Sequence, residues 1–174
     1  MRYVALLRGI NVGSHRRIPM PRLREVLTDR GYGDVRTLIA SGNIVLDSDA
    51  SEDELAGDVS RAIQAEFGFD VPVVVRTAGE LDAVLAADPF GAVATDTSRY
   101  SVTFLPVTPA ADRVAALPAA EGGEYAVLGR ELYLWLPDGM AVSAMAKWPW
   151  DRLLGVAGTN RNWNTVAKLA ELAR

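Results

Sequence analysis

Hydrophobic positions along this chain alternate between two periods, and the alternation predicts its elements. A continuous apolar run from Tyr3 to Leu7 reads as a buried strand, Arg2 to Leu7. After a polar loop, Pro19 and Pro21 flank a helix start. Leu23, Val26 and Leu27 then repeat at i, i+3, i+4, and Gly31 ends the helix. Asp34 to Ala40 and Ile44 to Leu46 are β-rich runs divided by Ser41-Gly42-Asn43, a hairpin pattern. Ser51 with Glu54 forms a capping box opening a helix whose apolar face is Leu55, Val59, Ile63 and Phe67, ended by Gly68. Val71 to Arg76 is a β-branched strand, and Pro72 points to an edge position. Thr77 and Glu80 make a second capping box, opening a connecting helix with Leu81, Val84 and Leu85 that closes at Asp88-Pro89.

The second half repeats this plan in order and spacing rather than in residue identity. Tyr100 to Leu105 is a strand ended by Pro106, and Thr108-Pro109 opens a short helix with Val114 and Leu117. Tyr125 to Leu128 and Leu132 to Leu136 pair across Gly129-Arg130. A helical stretch from Ser143 to Leu154 is interrupted by Trp148-Pro149-Trp150, where proline breaks or restarts the helix. Val156 to Arg161 is read as a strand, and Val166, Leu169 and Leu172 mark the last helix. The expected fold is therefore α+β: two ferredoxin-like βαββαβ halves packed side by side, with antiparallel sheets and helices on one face. The boundary falls near residues 88–98, giving a first half over 1–88 and a second over 99–174.

Composition narrows the function classes. The chain has no cysteine, which removes disulfides and thiolate metal sites and fits a cytoplasmic protein. Arg8 interrupts the first apolar run, so no signal-type stretch opens the sequence. Net charge is −4, but it is unevenly spread. Residues 1–36 hold eight arginines against three acids, whereas residues 37–99 hold three arginines against twelve acids. An acidic whole disfavours non-specific nucleic-acid binding; the basic first segment leaves room for a local anion site.

Candidate chemistry concentrates in two stretches. Arg8-Gly9-Ile10-Asn11-Val12-Gly13 follows the first strand but matches neither a dinucleotide nor a Walker loop. Its helix begins too late for its N-terminus to meet a phosphate held by those glycines. His15 is the only histidine, too few for a metal site; no metal or cofactor is expected. In a split βαβ unit the loop after strand one and the hairpin between strands two and three share one end of the sheet. Arg8 and Asn11 are thereby expected beside Ser41 and Asn43. The second stretch places Arg161, Asn162 and Asn164 before a helix, with Asn162 or Asn164 available as its cap. These seven residues are the candidate ligand-binding set, for a small anionic ligand of nucleotide or phosphate type.

Two other function classes compete with that one. Arg16, Arg17, Arg22 and Arg24 would serve nucleic-acid binding, and Trp148-Pro149-Trp150 a dimerisation or scaffold surface. Strand one carries only Tyr3 and strand three no aromatic, which disfavours the base-stacking sheet of an RNA-recognition module. Neither a reaction nor a catalytic residue is assigned, and enzyme and binder both stay open.

The motifs Leu6-Leu7-Arg8-Gly9-Ile10-Asn11-Val12-Gly13, Ile18-Pro19-Met20, Ser41-Gly42-Asn43 and Arg161-Asn162-Trp163-Asn164-Thr165-Val166 together resemble a bacterial family known as domain of unknown function 1697. The resemblance runs along nearly the whole chain. It implies an α+β protein of paired ferredoxin-like halves and no established activity, substrate or catalytic residue. The chain departs from the usual pattern at Ser14, where a second glycine is common, and at Trp148-Pro149-Trp150, where a simpler helix is usual.

Overall fold

The computed structural model describes residues 1–174. Its elements run β1 (Arg2–Leu7), α1 (Met20–Asp29), β2 (Gly33–Leu38), β3 (Asn43–Asp47), α2 (Glu52–Phe67), β4 (Val73–Thr77) and α3 (Ala78–Ala87). They continue as β5 (Tyr100–Phe104), α4 (Ala111–Ala115), β6 (Glu124–Leu128), β7 (Glu131–Trp135), α5 (Trp150–Leu154), β8 (Thr159–Asn162) and α6 (Trp163–Leu172). Two antiparallel sheets result, ordered β2-β3-β1-β4 and β6-β7-β5-β8. The chain forms two compact units, Met1–Asp82 with Leu169–Arg174, and Ala83–Lys168. This is the α+β arrangement of two similar halves that the periodicity predicts.

Local chemistry explains the first half's boundaries. Ser51 Oγ accepts from Glu54 N while Glu54 Oε2 accepts from Ser51 N, so two orphan amides at the start of α2 are satisfied. Gly68 at φ 83° closes that helix in the left-handed region. Thr77 and Glu80 repeat the reciprocal bonds at the start of α3. One face of the first sheet presents Tyr3, Ala5, Leu7, Ile44, Leu46 and Val75 to Leu23 and Leu27 of α1 and to Leu55, Val59 and Ile63 of α2. The opposite face is buried too: Val4, Leu6 and Val45 are fully inaccessible.

The second half follows the same lattice with less helix over it. α4 and α5 have five residues each, against ten in α1 and sixteen in α2. The expected stretch from Ser143 to Leu154 resolves into a 3-10 turn at Met145–Lys147 and α5 from Trp150, because Pro149 supplies no amide to continue a helix. Trp148 and Trp150 instead pack with Tyr125 against Leu105, Leu132, Leu134, Leu136, Met145 and Leu154. The last strand is shorter than expected, Thr159–Asn162, since Gly155 at φ 72° turns the chain out of α5 first.

Both sheets bury an arginine at the same register position. Val4 faces Arg76 across β1 and β4, and Val102 faces Arg161 across β5 and β8. Arg76 is 1% exposed and Arg161 7%.

Candidate functional site

The loop after β1 is held in shape by one asparagine. Asn11 has φ 52°, a left-handed conformation that asparagine tolerates better than most residues. Its Nδ2 donates to Ile18 O at 3.0 Å and to Ala40 O at 2.7 Å, and its Oδ1 accepts from Ile18 N at 2.8 Å. The first pair closes the loop, and the bond to Ala40 ties it to the β2–β3 turn. Asn11 N donates to Arg16 O, and Val12 bridges His15, so the loop is a small hairpin of its own.

The β2–β3 turn fits under this loop through Gly42. At φ 92° a side chain is strained, and a Cβ would lie 2.6 Å from Leu7 Cβ. Leu7 N donates to Gly42 O at 2.8 Å, which fastens the turn to the end of β1. Asn43 is the first residue of β3 rather than part of the turn. It is fully buried, and its Nδ2 donates to Leu38 O and Ser41 Oγ, bracing both sides of the hairpin. Arg8 is half-buried at the strand end, where its amide donates to Pro72 O. Arg8, Asn11, Ser41 and Asn43 therefore share one edge of the first unit, as the topology requires.

That edge sorts the basic residues into two groups. Arg2 bridges Asp34 and Asp47, Arg22 bridges Glu25 and Glu66, Arg30 bridges Asp58, and Arg36 bridges Asp34. Arg24 donates to Thr37 Oγ1. Arg16 and Arg17, on the loop, bridge no carboxylate. The Arg16 guanidinium donates to the carbonyls of Gly9 and Asp70 and lies 5.1 Å from the centroid of the Phe69 ring. Arg17 and His15 are exposed. Arg22 and Arg24 thus have partners within the fold.

Two exposed apolar side chains stand at the same edge. Val12 is 74% and Ile39 56% exposed. Ile39 also has φ 51°, an unusual conformation for a β-branched residue that requires support from its surroundings.

The second stretch lies in the other unit, and its polar side chains have internal partners. Asn162 Oδ1 accepts from Asn164 N and so caps α6; its Nδ2 donates to Ser98 O. Asn164 Oδ1 accepts from Thr97 Oγ1. Arg161 Nη1 donates to Thr159 Oγ1 and Asn160 O, and burial lowers its pKa to about 10. Sequence reasoning singled out Arg161 and passed over Arg76. The available signal was a lone arginine after three valines, Val73-Val74-Val75-Arg76, at the matching strand position.

No group of three or more histidine, aspartate or glutamate side chains is arranged to hold a metal ion. No helix is long and apolar enough to cross a membrane.

The sequence pattern of the family described as protein of unknown function (DUF1697) matches residues 1–133. No curated protein matches the chain. Among solved structures the chain is similar to a conserved bacterial protein from Streptococcus pneumoniae, at 24% sequence identity and a TM-score of 0.78. That likeness covers 99% of this chain and 98% of the other, and it carries the fold alone.

Proposed function

The chain belongs to the DUF1697 family of proteins of unknown function, and from that premise we propose that its first-half edge binds a small anionic ligand of nucleotide or phosphate type. The observation that carries this reading is the sorting of the arginines. Arg2, Arg22, Arg30 and Arg36 bridge carboxylates and Arg24 donates to Thr37 Oγ1, whereas Arg16 and Arg17 on the loop bridge no carboxylate. A guanidinium kept free of carboxylates suits bidentate contact with an incoming anion.

The seven sequence candidates divide by role in this reading, and Arg17 joins them from the loop. Arg8 and Arg17 contact the ligand. Asn11, Ser41 and Asn43 shape the edge, because their amides and hydroxyl are engaged with the hairpin and loop. Arg161, Asn162 and Asn164 keep their roles inside the second unit. Val12 and Ile39 offer apolar contact to the uncharged part of the ligand.

Thermal denaturation against nucleotides and sugar phosphates tests this. A ligand at a hundred times its dissociation constant adds about 2.7 kcal/mol of stability. Arg17→Ala removes that gain without disturbing the loop, and Arg8→Ala reduces it. The absence of any shift across the panel, or a shift indifferent to both arginines, contradicts the reading.

A further inference from the structure

The second half holds a cleft of about 520 Å³, a volume ordinary for small-molecule sites. It lies entirely within the unit Ala83–Lys168. Its existence follows from the short helices. In the first sheet, Tyr3, Ala5 and Val75 lie on the face covered by α1 and α2. The register places Ser101, Thr103 and Asn160 at the corresponding positions of the second sheet. Three hydrophobic side chains have become a hydroxyl pair and an amide.

These polar groups are organised. Asn160 Nδ2 donates to Ser101 Oγ and Thr103 Oγ1, both at 3.0 Å, so the amide is held in a fixed plane. Asn160 and Thr103 form part of the cleft surface, and Asn160 Oδ1 accepts from no protein group. Trp148 and Trp150 form a wall, with ring centroids 5.2 Å apart and planes inclined by 41°. Trp150 is fixed by its Nε1, which donates to Met145 O at 2.8 Å. Leu134 and Met140 contribute apolar surface, and Met140 is half exposed. Arg152, which is exposed, also lines the cleft.

We propose that this cleft binds a planar heteroaromatic ring of the nucleobase or nucleoside class. An indole face offers stacking to a flat ring, and this contact tolerates different bases. The outward Asn160 Oδ1 accepts an N–H from the ring edge, which orients the ligand. A pyranose also offers a C–H face to an indole, but its rim of equatorial hydroxyls would lie without polar partners against Leu134 and Met140, which a flat ring with one polar edge avoids. The first-half anion site is a separate reading, and neither depends on the other.

The test uses the full chain and its four tryptophans. Indole N–H resonances are followed by NMR during titration with adenosine, guanosine and cytidine into the millimolar range, with glucose as the polyol arm. The proposal expects saturable shifts of Trp148 and Trp150 with at least one nucleoside, while Trp135 remains in place. Asn160→Val should weaken binding about tenfold, the effect of one lost oriented hydrogen bond. Trp148→Leu, which keeps an apolar side chain against the core, should weaken it at least as much. Indole signals unmoved by every nucleoside, moved equally by glucose, or moved with unchanged affinity in both variants would overturn the proposal.

Discussion

The two halves share one strand order and one register but cover their sheets differently. In the first half, Tyr3, Ala5 and Val75 are buried under helices of ten and sixteen residues. In the second, Ser101, Thr103 and Asn160 take those positions beneath helices of five residues each. The lesson is that the fold does not require polarity there. The first half shows that apolar residues satisfy the same lattice, so the polar trio needs another reason. A cleft that receives a ligand supplies one. The opposite faces make the converse point: Arg76 and Arg161 occupy the same position in both sheets, and both are buried. A charge repeated in both halves belongs to the shared architecture more than to either site.

The largest effect should come from exchanging the first half's solution for the second's. Val75→Asn puts an amide beneath α1 and α2, where Tyr3 and Ala5 offer no hydroxyl pair like that of Ser101 and Thr103. Lost apolar burial and an unsatisfied polar group together cost about 3 kcal/mol. Urea denaturation measures this; a loss below about 1 kcal/mol would mean that the first sheet tolerates polarity as well as the second.

The halves also differ in how much of them the sequence discloses. Capping boxes at Ser51 and Thr77, glycine stops and helical stripes made the first half's elements legible, because each is a short-range rule. The shared edge of Asn11 and Ser41 followed from chain topology. Asn43 was harder to read: Ser41-Gly42-Asn43 has turn composition, but the turn closes at Gly42 and Asn43 enters β3, fully buried. The second half hid its cleft. Alternating polar residues such as Ser101 and Thr103 ordinarily mark a solvent face, and only three-dimensional register brings Asn160 across to them. Trp148-Pro149-Trp150 stood out in the sequence, but not that its rings pack with Tyr125 and line the cleft.

A smaller effect separates the halves by pH. In the first, Asp58 is hydrogen-bonded by Arg30 and Tyr32, which pull its carboxyl down to about 2, while burial opposes them. Burial and the Asp58 contact push the Tyr32 hydroxyl up to about 12. Since the folded carboxylate titrates below its unfolded value, its contribution is complete above about pH 4 and disappears as pH falls through 2. Allowing for its partial exposure, we expect about 1 kcal/mol. The stability difference between the parent and Asp58→Asn should therefore shrink between pH 7 and pH 2 in urea titrations. A constant difference over that range would remove Asp58 from the account.

The smallest effect carries the central claim, that the second sheet's polar trio serves a ligand and not the fold. Asn160→Val restores the residue type found at the equivalent position of the first half. Removing the amide leaves Ser101 and Thr103 to bond with each other or with water in the cleft, so stability should stay within about 1 kcal/mol of the parent. The measurement is the urea unfolding free energy of Asn160→Val against the parent chain. A near-neutral value agrees with an amide held for binding. A loss as large as that of Val75→Asn would show that Asn160 holds the sheet together, and would contradict the claim.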